Sequence, residues 1–263
     1  MSDLETKTRE IRGIILDQVV AFGNGHIASA FSCLEILLTL YHRVLKVNAA
    51  NPTWPDRDRL ILSKGHGVSA LYAILADLGF FPKEWLIASQ DGNLLGGHAD
   101  HNVPGIDWST GSLGHGLSVA AGMALAAKMD KKDYRVFCIL GDGELQEGSV
   151  WEAAMFAAHH KLNNLVAIID RNSTQSCGRT RNITSIIPFS VWNSFRWQVQ
   201  RVDGHRINIL EEAMSRPHAN APMVIIAHTI KGYGVSFIET GDKWHTQIPN
   251  ETEMAEAKKE LGY

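Results

Sequence analysis

Apolar positions recur every three or four residues at the start of the chain. Between residues 6 and 21, Ile11, Ile14, Ile15, Leu16, Val19 and Val20 fall mainly at helical spacing. Phe31, Leu34, Leu37, Leu38 and Tyr41 line one side of a second predicted helix, from about Ser29 to Arg43. The stretch NPTWPDRD, residues 51–58, breaks the pattern and reads as a loop. After it, RLILSKGHGVSALYAILADLGF predicts a short buried strand, a turn flanked by Gly65 and Gly67, and a helix to Leu78. Residues 88–112 are dense in Gly, Asp, Asn, His and Ser. A polar loop of that length inside a compact domain is usually functional.

From Leu113 the pattern changes to LGHGLSVAAGMALAAKM. Between Leu117 and Ala127 only Ser118 is polar, which predicts a helix apolar all round and buried on every side. The most legible unit follows. Residues 134–140 (YRVFCIL) predict a buried strand ending at Gly141-Asp142-Gly143. Residues 149–162 predict a helix, and 165–170 (LVAIID) a second strand ending at Arg171-Asn172. Such a βαβ crossover implies parallel strands. Further strands are expected at 198–202 and 223–228, with a helix over 207–216 between them, and ETEMAEAKKELGY reads as a terminal helix. No internal repeat or interdomain linker interrupts the pattern. The expectation is a single α/β domain, a parallel sheet flanked by helices.

Composition narrows the class without changing the fold. The 263 residues are 45% hydrophobic and 20% charged, which excludes disorder, collagen-like repeats and low complexity. A net charge of −3 gives no electrostatic reason to expect nucleic acid or an anionic membrane. No apolar stretch is expected to span a membrane, and MSDLETKTREIRG lacks the apolar core of a signal peptide. Cys33, Cys138 and Cys177 show neither metal spacing nor a disulfide framework. A reduced, cytoplasmic protein is expected.

The chemistry follows from topology. Consecutive strands of a βαβ unit end on the same edge, so Asp142 and Asn172 should meet where α/β sheets bind ligands. A carboxylate and a carboxamide oxygen suit a hard cation such as Mg²⁺ or Ca²⁺, with phosphate oxygens completing its shell. Gly141 and Gly143 permit close approach of a bulky anion, and the helix beginning near Ser149 adds its N-terminal dipole. A lone GDG is a common turn. Strand–GDG–helix–strand–Asn in order is far more specific. The local inference is a metal-bridged diphosphate site.

At this point the sequence resembles a known family. GDGELQEGSVWEAAMFAAHHKLNNLVAIIDRN is similar to the thiamine-diphosphate fingerprint of transketolases. GNGHIASAFSCLEIL, LSKGHGVSALYAIL, STGSLGHGLSVAAGMALAAKM, VDGH and KGYGVSFIE…WH follow the family's order, from about Gly25 to His245. The resemblance implies the thiamine-diphosphate-binding fold and its cofactor with Mg²⁺, for which Ca²⁺ or Mn²⁺ can substitute. It implies metal ligation by Asp142, Asn172 and the Thr174 carbonyl. Gly143 would meet the diphosphate, Leu113 would pack on the aminopyrimidine and Gly111 would bond its edge. Glu147 would link cofactor sites across a dimer, and Asp170 would lie near the cofactor. His66 and His245 would stand by the diphosphate and reacting centre, and His26 and His98 would hold the donor's hydroxyls. Imidazole suits that work because it donates and accepts near neutral pH. Of the remaining histidines, His42, His159, His160, His205, His218 and His228 are taken as structural.

Three departures stand out. Gly97-His98-Ala99-Asp100 replaces the family's Gly-His-Pro-Glu, His115 stands where Gln is usual, and VDGH is followed by Arg206 instead of Asp. Ala99, Asp100 and His115 are expected near the substrate channel. A full transketolase is more than twice this length, and its second domain holds the glutamate that activates the cofactor and the residues that grip sugar phosphates. The reading is the N-terminal subunit of a split transketolase, acting on sugars or sugar phosphates as an α₂β₂ heterotetramer with a C-terminal partner. Alternatives are a truncated remnant, a subunit of a 2-oxo acid dehydrogenase or 1-deoxyxylulose-5-phosphate synthase type enzyme, and a non-catalytic Rossmann-like module. The last is disfavoured because neither GxGxxG nor GxxxxGK[ST] occurs.

Overall fold

A computed structural model describes residues 3–263, except 24, 89–93, 177, 185–189, 217, 219 and 241. Cys177 and the 89–93 part of the predicted polar loop therefore lie outside the described residues. In chain order the elements are α1 (Asp3–Phe22), α2 (Ile27–Thr39), β1 (Arg59–Leu62), α3 (Val68–Asp77), α4 (Gly116–Met129), β2 (Val136–Gly141), α5 (Gly148–His159) and β3 (Leu165–Arg171). They continue with β4 (Thr174–Gln175), β5 (Gly178–Arg179), α6 (Thr180–Ile183), α7 (Ser190–Ser194), β6 (Gln198–Asp203), α8 (Ile207–Ser215), β7 (Met223–His228), α9 (Ser236–Thr240) and α10 (Glu251–Leu261). Each predicted strand and each predicted helix is present, with ends moved by a few residues.

The main sheet is ordered β1-β2-β3-β7-β6 and every pairing in it is parallel. Both faces are covered, so its inner strands are apolar runs instead of alternating patterns. Phe137, Ile139, Val166, Ile168 and Ile225 point into a core shared with α1, α2, α3 and α8. Val136, Cys138, Leu140, Leu165, Ala167, Ile169, Val224 and Ile226 point the other way, into a core shared with α4 and α5. Cys33 and Cys138 are buried free thiols.

Two helices exchange the roles that periodicity assigned them. All thirteen residues of α2 are buried, because α1, α3 and α8 surround it. Helix α4, expected to be enclosed, instead packs on β1, β2 and α5 and leaves Ser118, Gly122, Ala126 and Met129 open. Hydrophobic periodicity reports how apolar a face is and says nothing of which elements reach it. A second expectation also needs correction. The segment Ile27–Val44 is long and apolar enough to cross a membrane by composition, yet 89% of it is buried inside the domain. It is the central core helix, extended past Thr39 by a π-helical turn over Leu40–Val44.

Register builds the site. Gly141 of β2 pairs with Asp170 of β3, and Asp170 pairs with Ala227 of β7. Asp142 and Asn172 thus leave adjacent strand tips at nearly the same height, on the carboxyl edge.

Candidate functional site

A cavity of about 350 Å³ opens at this edge, and Asp142, Gly143, Asn172 and Thr174 line it together. Asp142 is braced from two sides. Its Oδ1 accepts the Gly143 N–H at 2.9 Å and its Oδ2 the Ser173 N–H at 2.6 Å. The second bond requires Ser173 in the left-handed region, at φ 60°. Burial and the nearby charge of Asp170 raise the Asp142 carboxyl to about 6, against the pull of those two backbone donors. A carboxylate costly to ionise in this way is primed to gain from a cation. The Asn172 side-chain oxygen accepts the Thr174 N–H at 3.0 Å.

Glu144, unremarked in the sequence, ties this turn to the rest of the cavity wall. It is 2% exposed. Its Oε2 accepts the Gly141 N–H at 2.9 Å, while Oε1 accepts the Gly114 N–H at 2.9 Å and the Ser63 hydroxyl. One side chain therefore joins the GDG turn, the tip of β1 and the loop that carries Gly111 and Leu113. Gly114 sits at φ 84°, and a Cβ there would come within 2.6 Å of the Glu147 side chain. That close approach seats Glu147 at the start of α5 and on the cavity wall.

Four histidines meet on the opposite wall. His26 lies with ring centroids 5.6 Å from His66, 6.1 Å from His98 and 5.5 Å from His245, and His66 is 5.8 Å from His245. His98 is held from its backbone: Tyr72 donates its hydroxyl to the His98 carbonyl at 2.9 Å. Burial, neighbouring imidazoles and lysines disfavour protonation here. His26 is lowered, His66 well lowered, and His245 is brought down to about 4. Lys231 contacts His245 Nδ1 at 3.1 Å. An ammonium only donates, so Nδ1 accepts and the imidazole proton sits on Nε2. His26, His66 and His245 thus favour the neutral ring, able to donate at one nitrogen and accept at the other.

The floor holds a buried ion pair. Lys64, 1% exposed, reaches Asp170 Oδ2 and the Ser29 carbonyl, the latter at 3.1 Å. Burial opposes the ammonium, and Asp170, helped by Cys33 and Asp142, more than offsets this and leaves its pKa raised. Ser32 and Thr229 donate their hydroxyls to Asp170 Oδ1.

The cavity brings together His26, His66, His98, Gly111, Leu113, Asp142, Gly143, Glu147, Asn172, Thr174 and His245. Asp170 is the exception. It is fully buried beneath the floor and reaches the cavity only through Lys64 and Ser32. Besides Glu144, the sequence reading passed over Lys64, Ser29, Gln175 and Lys231, all of which line the cavity. The available signal was Lys64 itself, a charge placed between an apolar strand and an apolar helix. None of the six histidines taken as structural lines this cavity. His205 instead bonds Glu35 at 3.0 Å, accepts the Ile230 N–H at 2.8 Å and stacks on Tyr233 with centroids 3.7 Å apart.

The departures at Ala99, Asp100 and His115 stand outside the lining of this cavity. Ala99 is buried in the α1–α3 core, Asp100 accepts the Asn102 N–H within its own loop at 2.9 Å, and His115 is exposed at the start of α4. None of them lines the cavity. Arg206 faces a separate open hollow with Arg201, His228 and Tyr233.

The donor set fits thiamine diphosphate with a divalent ion. Among the described residues no group of three or more His, Cys, Asp or Glu side chains could hold a metal alone. One carboxylate, one amide oxygen and one main-chain carbonyl is the pattern of a magnesium-type site that takes its remaining ligands from phosphate and water. A Cβ on Gly143 would lie 2.9 Å from the Gln175 Cβ and narrow the cradle.

Residues 5–263 match the family described as transketolase, thiamine diphosphate binding domain. The 6-deoxy-6-sulfo-D-fructose transketolase subunit SqwG of Clostridium sp. (strain MSTE9) is 43% identical over 242 residues, covering 90% of this chain and 88% of that protein. An apulose-4-phosphate transketolase subunit of Phocaeicola vulgatus is 42% identical over 262 residues, 98% of this chain and 93% of its own. The structure of transketolase from Leishmania mexicana superposes with a TM-score of 0.92 at 29% identity. That superposition takes in 100% of this chain and 42% of the other, so the chain spans less than half of that transketolase.

Proposed function

We propose, from the premise that the chain belongs to the transketolase family through its thiamine-diphosphate-binding domain, that it is the N-terminal subunit of a split transketolase. It works with Mg²⁺ and transfers a two-carbon ketol unit from a ketose donor to an aldose acceptor, in the cytoplasm. The observation that carries this reading is the cavity itself: diphosphate and metal donors on one wall face four clustered histidines on the other.

Thiamine diphosphate, when bound, supplies the carbon nucleophile and electron sink. The protein's residues do the rest. Asp142, Asn172 and the Thr174 carbonyl hold the cation, and Gly143 lets backbone approach the diphosphate. Leu113 packs on the pyrimidine and Gly111 bonds its edge. His26 and His98 hold donor hydroxyls, and His66 and His245 stand at the reacting centre. A neutral imidazole can pass a proton from one nitrogen while holding a hydroxyl at the other, which suits cleavage beside a carbonyl. Lys231 keeps His245 in one tautomer for that task.

We infer a single domain over residues 1–263, with a core of about 10–245, completed by a C-terminal partner in an α₂β₂ assembly. Exposed apolar side chains support a partner. Met129, at the end of α4, is 74% exposed, and Met155 and Phe156 on α5 are 50% and 42% exposed. Trp108, Ile230 and Ile248 are also exposed. Large apolar side chains left exposed are in keeping with a contact surface. The substrate class is sugars or sugar phosphates, in keeping with the transketolase subunits it resembles.

The test is a ketol-transfer assay with thiamine diphosphate and Mg²⁺, run on the purified chain alone and after adding the C-terminal polypeptide encoded beside it. Turnover is expected only from the pair. Turnover by the chain alone would overturn the split-subunit reading. Cofactor-independent behaviour, with no stabilisation by thiamine diphosphate and Mg²⁺, would overturn the cofactor assignment.

A further inference from the structure

We propose that Ser32 is a positioning residue that aims the Asn172 side-chain oxygen into the metal site, by relaying the orientation of the buried Lys64–Asp170 pair. The inference rests on the reading of this cavity as a metal–diphosphate site.

Ser32 is fully buried on α2, one turn after Ser29, which lines the cavity. Its Oγ stands 2.7 Å from Asp170 Oδ1 and 3.1 Å from Asn172 Nδ2. A serine hydroxyl has one proton to give. Asp170 is a carboxylate paired with Lys64 and can only accept, so the proton goes there. The amide nitrogen of Asn172 can only donate, so Ser32 accepts from it. The direction of both bonds is therefore determined. Nδ2 of Asn172 faces the protein, and Oδ1 is left on the side where it accepts the Thr174 N–H. The reversed amide would set Nδ2 against the Thr174 N–H, donor facing donor. It would also set Oδ1 against a hydroxyl whose proton is already committed.

Thr229 separates this role from general support of Asp170. Its hydroxyl also donates to Asp170 Oδ1 and stands 3.3 Å from Ser32 Oγ, but it is not bonded to the Asn172 amide. The two hydroxyls thus share one carboxylate oxygen, and Ser32 extends the chain of bonds to the amide. Without Ser32 the amide keeps one anchor of two and leaves a half-buried donor unpaired. The χ2 torsion of asparagine is broad and roughly two-fold, so both amide faces then compete for the cation. Ligand orientation by the groups behind it is worth about 10–100-fold in metal affinity at other sites.

The measurement is Mn²⁺ binding to the chain assembled with its C-terminal partner, in the presence of thiamine diphosphate, followed by the electron paramagnetic resonance signal of free Mn²⁺. Ser32→Ala should weaken Mn²⁺ binding by about 10-fold or more, whereas Thr229→Val should change it by less than about threefold. Adding Ser32→Ala to Asn172→Ala should weaken binding no further, because the relay acts through Asn172 alone. Full Mn²⁺ affinity in Ser32→Ala would overturn the relay. So would equal losses in Thr229→Val, or additive losses in the double variant. If Ser32→Ala does not fold, as judged by circular dichroism, Ser32→Cys is read in its place. It keeps the volume with a feeble donor and acceptor, and the same ordering against Thr229→Val applies. A wild-type pair that takes up no Mn²⁺ with thiamine diphosphate brings down the reading of the cavity, and the relay with it. A loss of the relay leaves that reading intact.

Discussion

His26 and His245, from opposite ends of the chain, meet edge to face with ring centroids 5.5 Å apart at 90°. The contact depends on the glycine before His26. A Cβ on Gly25 would lie 1.8 Å from the Thr246 carbonyl oxygen, so the loop starting α2 and the segment carrying His245 touch backbone to backbone. Gly25→Ala should force them apart, at the cost of about 1–3 kcal/mol typical of overpacking. Urea unfolding should register that loss, and thiamine-diphosphate affinity should fall with it. Unchanged affinity would show that the His26–His245 contact does not shape the cavity.

Asp142, proposed as a metal ligand, stands at a strand tip outside the core. Asp142→Ala should therefore leave the thermal midpoint of the apo chain largely unchanged. Mg²⁺-dependent thiamine-diphosphate binding should weaken by about 100-fold, the equivalent of losing a charged contact worth about 3 kcal/mol. Isothermal titration of the variant with cofactor and Mg²⁺ checks this, and wild-type affinity would contradict the ligand assignment.

The Lys64–Asp170 pair is enclosed, with side chains 2% and 0% exposed. Removing one partner of such a pair strands the other charge, at a cost of about 3–5 kcal/mol. Lys64→Met should show that loss in denaturant unfolding, and Lys64→Met with Asp170→Asn should recover part of it. A double variant no more stable than the single would show that the pair is not the source of the penalty.

The histidine cluster makes the metal-free chain sensitive to acid. His26, His66 and His245 are all lowered from an ordinary 6.5, His245 to about 4. As pH falls through 6.5 the unfolded chain takes up protons that the folded chain refuses, so stability is full above 6.5 and drains away toward 4. Asp142, raised from 3.8 to about 6, acts in the opposite sense, because the folded chain keeps its proton longer. His245→Asn isolates one contribution. Its stability should depend less steeply on pH between 4 and 6.5 than that of the wild type. Parallel curves for the two proteins would place the His245 imidazole in solvent.

The βαβ unit was legible because its signals are local. Residues 134–140 and 165–170 are apolar runs that close on glycine or on Asp142 and Asn172, and parallel topology then brings their tips together. The four histidines were legible through family resemblance, since no spacing links His26 to His245. Lys64 and Glu144 were not. A buried charge looks like a surface one until its partner is known, and Asp170, Ser63 and Gly114 are distant in sequence from the groups they satisfy. Helices α2 and α4 misled for a related reason, because their apolar faces do not name their neighbours.

By itself the sequence determined the strands, the crossover, and the oxygen-bearing side chains of Asp142 and Asn172 at two strand tips. Those properties follow from periodicity and from the short range of turn chemistry. Tertiary structure decided which charges are paired, which amide face of Asn172 looks outward and which helix lies at the centre. Hydrogen-bond direction and burial are properties of what surrounds a group, and that is known only once distant segments such as those of Ser32, Lys64 and Asp170 have come into contact.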